Sequence, residues 1–166
     1  MPNWCMNEVT ITTVTDEEAE AFMESIKDGD NHFSFNKIKP MPKELKGTRS
    51  PADIVSQREY DSWVEHPDNI DSGLGKPITQ EMSNRLKKEY GYDNWYDWCV
   101  DNWGTKWDVD CGEGDLWENT ISYEFDTAWS PPEGIYNALV KQYPNLEISW
   151  FYREDGMQQA GWLNND

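Results

Sequence analysis

The sequence predicts an α+β fold: an antiparallel sheet with helices on one face, interrupted by a helical insertion. Three observations carry this. The stretch from Trp117 to Asp126 alternates, with Trp117, Asn119, Ile121, Tyr123 and Phe125 between Glu118, Thr120, Ser122, Glu124 and Asp126. A period of two suits a strand with one face buried and the other wet. Directly after it, Ser130, Pro131 and Glu133 predict a helix start with a serine N-cap, a proline at the first helical position and a capping box. Strand and helix patterns also alternate at both ends of the chain, while the middle is broken by prolines, glycines and charges.

In chain order, residues 3–13 predict a first strand with Cys5, Asn7, Val9 and Ile11 on one side. Thr15 then offers an N-cap with Glu18 three places on, and Ala19, Phe22, Met23 and Ile26 follow at helical spacing. Asp16, Glu17 and Glu18 crowd its first turn, which suits the positive end of the helix dipole. FSFNKI reads as a short extended segment stopped by Pro40 and Pro42. Helices are predicted within 51–65, at 79–90 with Met82, Leu86 and Tyr90 on one stripe, and at 93–103 with Trp95, Trp98, Cys99 and Asn102 at helical spacing. DNIDSGLGK, 68–76, reads as a flexible loop. A helix over 131–142 turns Ile135, Tyr136, Leu139, Val140 and Tyr143 inward, and Pro144-Asn145 ends it. A strand at 146–154 follows, then a turn at Asp155-Gly156 and a returning strand at 157–163. The expected order is β-α-β, insertion, β-β-α-β-β. Two β-α-β units around an antiparallel sheet make a ferredoxin-like α+β sandwich. Residues 1–42 and 103–166 form its expected core, and 43–102 the helical insertion.

Composition narrows the function. The 166 residues suit one domain with a full core and one insertion. Ten Trp, eight Tyr and five Phe offset a mean hydropathy of −0.91 and argue against a disordered chain. No apolar run approaches the roughly 20 residues that cross a bilayer, and MPNWCMNEV lacks the pattern of a signal peptide. Cys5, Cys99 and Cys111 are odd in number and widely spaced, which fits free thiols in a reducing cytoplasm.

The net charge is −18 and uneven. Residues 1–30 carry −7 and 93–126 carry −9, whereas 31–92 carry +1. Such a field repels nucleic-acid phosphates and anionic membranes and favours basic protein surfaces.

MPNWCMNEVTI, FNKIKPMP, WGTKWD, FDTAWSPP and YREDGMQQAGW together resemble the phage- and plasmid-borne Api-type proteins with a ferredoxin-like domain. The resemblance covers nearly all of the chain outside roughly 44–90. It implies the fold and a mobile-element origin, and neither an activity nor catalytic residues. "Ferredoxin-like" describes topology; these three cysteines could not hold an iron–sulfur cluster, and no cofactor is expected.

Four candidate chemistries follow from the residues. Asp108, Asp110, Glu113 and Asp115 form the densest carboxylate cluster and could hold Ca²⁺ or Mg²⁺ in a metal-dependent protein or enzyme. They depart from the EF-hand template, with Gly112 at the fifth position and Asn119 at the twelfth, so an acidic turn is the simpler reading. His32 and His66 match no ligand or nucleophile spacing, which favours structural histidines and leaves no catalytic residue to name. Trp95, Trp98, Trp103, Trp107, Trp117 and Trp129 could stack bases beside Lys37, Lys39, Lys43, Lys46 and Arg49, but most lie in acidic sequence, so packing is expected. Lastly, Glu118, Thr120, Ser122, Glu124 and Asp126 point together from one strand, with Glu17, Glu20, Glu24 and Asp28 on the first helix. Ordered carboxylates can imitate the phosphates of a duplex and dock on basic grooves. The expected function is therefore a non-enzymatic, cytoplasmic interaction protein binding a basic host protein or nucleoprotein complex through Asp108, Asp110, Glu118, Glu124 and Asp126.

Overall fold

The computed structural model describes residues 1–164, leaving aside the side chains of Ile70 and Asp71. The chain divides into two compact units, one of residues 1–40 and 101–166, the other of residues 41–100.

The first unit is built on an antiparallel sheet of β1 (Trp4–Thr12), β4 (Asp115–Trp117), β5 (Thr120–Ala128), β6 (Glu147–Glu154) and β7 (Gln159–Trp162), in the order β4-β5-β1-β6-β7. α1 (Asp16–Ser25) follows β1, and α7 (Glu133–Gln142) connects β5 to β6. Taken as β1-α1-β4-β5-α7-β6, the four strands lie in the spatial order last, first, third, second. This is the ferredoxin-like arrangement, with β7 added beside β6.

Cys5, Asn7, Val9 and Ile11 are all buried, as their alternation predicts, and stand opposite Thr127, Phe125, Tyr123 and Ile121 of β5. Trp150 of β6 is buried opposite Val9. Ala19 and Phe22 of α1 and Ile135, Tyr136 and Leu139 of α7 are buried as well. The buried Asn7 is fully employed: its Oδ1 accepts the Trp150 indole N–H at 3.0 Å, and its Nδ2 donates to Thr127 Oγ1 at 3.0 Å and the Cys5 carbonyl at 2.9 Å. A buried amide left without partners would cost about 1–3 kcal/mol.

Three local expectations are corrected. FSFNKI does not enter the sheet; Phe35–Ile38 form a short helix, α2, because Ser34 caps Lys37 N–H and Asp108 takes the first free amides. Its two phenylalanines instead fill the core, Phe33 lying 4.9 Å from Phe125 and 5.0 Å from Tyr123 between ring centroids. The alternating stretch 117–126 is two strands rather than one. Trp117 pairs with Thr120 across a two-residue turn at Glu118-Asn119, with Glu118 at φ +53, so Trp117 falls on the open face and is 78% exposed. Finally, α7 starts without a side-chain cap, at Pro132, and Ser130 Oγ donates to the Gly104 carbonyl at 2.6 Å instead of capping. Gly134 in the first turn of α7 has no room for a side chain, since a Cβ would meet the Asn102 carbonyl at 1.9 Å.

In the second unit, β2 (Ile54–Val55) and β3 (Ile78–Thr79) pair in parallel. α3 (Gln57–Glu65) begins in a complete Ser56/Glu59 capping box. α4 (Pro67–Asp71) occupies part of the stretch expected as a loop. α5 (Gln80–Tyr90) runs from a Thr79 cap to a left-handed Gly91 at φ +85. α6 (Trp95–Trp103) begins here and ends in the first unit. Leu45, Ile78, Leu86, Trp98 and Cys99 are buried. Among the described residues no helix is long and apolar enough to cross a membrane.

Candidate functional site

Within the first unit α1 and α7 bury their apolar residues on one face of the sheet, and the other face carries acidic and aromatic side chains. Strand pairing sets its rows. Glu124 of β5, Glu8 of β1, Phe151 of β6 and Trp162 of β7 stand side by side in one row, and Asp126, Met6, Arg153 and Ala160 in the next. Toward the far edge, Asp115 of β4 stands opposite Ser122, and Trp117 opposite Thr120. Glu8, Ser122, Glu124, Asp126 and Trp162 are exposed. The face is thus acidic across β5 and β1 and aromatic across β6 and β7.

Beside β5 runs the loop 104–114, fixed on both sides of Trp107. Thr105 Oγ1 donates to the Ala128 carbonyl at 2.9 Å, which ties the loop to the end of β5. At the other fixed point, donors converge on the Asp108 carboxylate: Phe35 N–H at 2.8 Å, Asn36 N–H at 3.1 Å, Ser34 Oγ at 3.1 Å, Asn31 Nδ2 at 3.5 Å and its neighbour Val109 N–H at 2.8 Å. Further along, Asn31 Oδ1 accepts Cys111 N–H at 3.2 Å, and the Cys111 carbonyl accepts His32 N–H at 2.9 Å. Between these two anchors the loop turns Trp107 outward.

The result is a cleft of about 500 Å³ lined by Trp4, Trp107, Asp108, Asp110, Glu124 and Asp126 among others. The Trp4 and Trp107 rings lie 6.4 Å apart at 39°, and the Lys106 ammonium sits 3.9 Å from the Trp107 ring centroid. Among the described residues, Asp110, Glu124, Asp126 and Glu8 have no cation within ion-pair distance. Carboxylates beside the faces of indole rings attract ammonium and guanidinium groups, and Lys106 already uses the Trp107 ring in this way.

Four of the five residues expected to contact a partner therefore gather at one cleft. Glu118 is the exception, because the β4–β5 turn takes it off the acidic face. Asp108 lines the cleft, but its oxygens are occupied in holding residues 31–36, which makes it a support rather than a free contact. The sequence reading missed Glu8, Trp4 and the Phe151–Trp162 pair, whose ring centroids are 5.1 Å apart. A sequence alone does not show which strands are neighbours, and strand pairing alone brings these residues to the site.

The four carboxylates considered as metal ligands do not converge. Asp108 points into the 31–36 segment, Asp110 lines the cleft, Glu113 is exposed in the loop, and Asp115 lies on the open face. Among the described residues no group of three or more His, Cys, Asp or Glu is placed to hold a metal ion. Two of the thiols are held protonated: burial first, and then the Asp110 charge, pushes Cys111 up to about 11, and burial chiefly pushes Cys5 up to about 11 as well. Trp98 and Trp103 are buried, whereas Trp107, Trp117 and Trp129 are 42%, 78% and 45% exposed, which corrects the expectation that they pack inside.

Comparison with known proteins bears on the first unit. No curated protein matches the chain. Among solved structures, the crystal structure of a protein api92 from Yersinia pseudotuberculosis is similar over 98% of this chain and 93% of that one, with 13% identity and a TM-score of 0.48. Residues 102–164, the segment that supplies β4, β5, α7, β6, β7 and the Trp107 loop, match the family model described as the ferredoxin-like domain in Api92-like protein. Over that segment the chain is similar to the ferredoxin-like domain of Api92-like proteins.

Proposed function

We propose that the protein is a non-enzymatic interaction module that docks a basic surface of a partner protein on its acidic sheet face. The Trp4–Trp107 cleft takes one of the partner's cationic side chains. The observation that carries this reading is the gathering of Asp110, Glu124 and Asp126, none of them ion-paired among the described residues, around two exposed indole rings. A merely solubilising surface has no reason to set its carboxylates against aromatic rings in a concavity. The full-chain charge of −18 would speed encounter with a basic partner and repel competing anions.

The finer reading is that this is a protein of a phage or plasmid acting in the host cytoplasm. Its partner would be a nucleic-acid-handling or defence protein, whose basic groove the carboxylates occupy as phosphates would. The resemblance of WGTKWD and FDTAWSPP to mobile-element proteins supports the origin, and the acidic sheet face supports the mimicry. The test is affinity capture from host lysate at about 50 mM and about 500 mM salt, either side of the Debye screening that suppresses charge contacts. A nucleic-acid-handling protein should be retained at low salt only, and lost when Glu124→Lys and Asp126→Lys are combined. A partner that survives both high salt and the double reversal would overturn the reading.

A further inference from the structure

The second unit has a concavity of different character. The apolar stripe of α3, Tyr60, Trp63 and Val64, finds no core: none of the α3 side chains is buried, and Val64 is 48% exposed. Along it lies a pocket of about 390 Å³, completed by Gly47, Asn69 and Gly75 and rimmed by Lys46 and Lys76.

Its walls are held by backbone. Lys76 N–H donates to the Gly47 carbonyl at 2.6 Å and Arg49 N–H to the Lys76 carbonyl at 3.0 Å. Arg49 Nε donates to the Gly75 carbonyl at 3.0 Å while its guanidinium pairs with Asp53. Gly75 adopts φ +78, and a Cβ there would come within 3.3 Å of the Gly47 and Thr48 carbonyls. The wall formed by Gly47, Gly75 and Lys76 is therefore preformed.

The pocket's own charged lining residues are both lysines, in the less acidic of the two units. Residues 41–100 hold eleven acids and eight bases, a net −3, against −15 for the remainder. The Lys76 ammonium stands 5.6 Å from the Tyr60 ring centroid. Among the described residues, neither Lys46 nor Lys76 has a carboxylate within ion-pair distance.

Two ammoniums that meet no carboxylate of the described residues, above an aromatic and aliphatic floor, suit an anion with a flat apolar body. The volume falls in the range of small-molecule pockets, roughly 300–1,000 Å³, and is far larger than one inorganic ion needs. We propose that this pocket binds a nucleoside monophosphate, with the base against Trp63 and Val64 and the phosphate between Lys46 and Lys76. Lysine serves phosphate as a point charge, and a base stacks on an aromatic side chain whatever its identity.

The test is titration of the ¹⁵N-labelled full chain with the four common 5′-monophosphates, with adenosine, and with inorganic phosphate, following the Trp63 indole. At least one monophosphate should bind saturably, with adenosine and phosphate each at least about tenfold weaker. Lys46→Gln, Lys76→Gln and Trp63→Ala should each weaken it about tenfold or more without altering the melting temperature, and Lys76→Arg should retain it. A phosphorylated tetranucleotide that binds as tightly as the monomer would assign the site to strand ends; weaker binding would assign it to free nucleotide. Absence of saturable binding, adenosine as tight as its monophosphate, or variants indistinguishable from wild type would overturn the proposal. The acidic cleft lies in the other unit, so its charge reversals leave this outcome untouched.

Discussion

Glu8 on β1 and Glu124 on β5 stand directly opposite each other on the open face of the sheet. Like charges in facing positions destabilise a strand pair, by roughly the 0.2–1 kcal/mol that a favourable pair contributes. Replacing Glu8 by Gln should therefore raise stability in urea by up to about 1 kcal/mol at low ionic strength, and by less at high salt. The same variant should bind a basic partner more weakly. A Glu8→Gln protein less stable than wild type at low salt would show that the two carboxylates do not repel.

Asp108 and Asp110 are two residues apart and should behave oppositely. Asp108 collects backbone and side-chain donors from residues 31–36, so Asp108→Asn puts an amide N–H₂ among donors. That should cost on the order of 2–3 kcal/mol in thermal or urea unfolding. Asp110 is exposed, and Asp110→Asn should stay within about 0.5 kcal/mol of wild type. Equal losses at the two positions would contradict the division between support and free contact.

The contrast also shows what a sequence can and cannot convey. The Cys5–Ile11 alternation and the Thr15/Glu18 cap are local signals, and both elements start where they predict, though α1 ends at Ser25 and leaves Asp28 in a bridge with Asn31, off the helix. The Glu118-Asn119 turn contains no glycine or proline, and period-two alternation continues straight through it, so one strand was expected where two exist. FSFNKI alternates like a strand, but the Ser34 cap starts a helix there and Asp108, more than seventy residues away in the chain, takes its first free amides. The acidic residues of the site could be named in advance because they are dense. Their association with Trp4, Trp107 and Glu8 depends on strand pairing and one loop, and no local pattern encodes it.

The buried thiols make stability fall at alkaline pH. Burial holds Cys5 and Cys111 protonated up to about 11 in the folded state, whereas in the unfolded chain a thiol releases its proton at about 8.5. Between those values the unfolded state binds fewer protons, so unfolding becomes easier as pH rises. Tyr123, raised by burial and then by Cys111, adds to the same trend at higher pH. Urea unfolding at about pH 8 and about pH 10.5 should show a drop on the order of a few kcal/mol. A Cys5→Ala/Cys111→Ala protein should show a smaller one. An equal drop in both would mean that the thiols are not its source.

The most direct test of the acidic cleft is the affinity of the full chain for an arginine-rich peptide, measured by calorimetry across a salt series for wild type, Asp126→Lys and Glu118→Lys. Asp126 lines the cleft and Glu118 sits at the turn, so the two reversals change net charge equally but alter different places. Asp126→Lys should weaken binding at least about tenfold and flatten its salt dependence, while Glu118→Lys should have only the small effect of overall charge. Equal weakening by both would contradict a cleft-centred site and leave only the protein's general negative field.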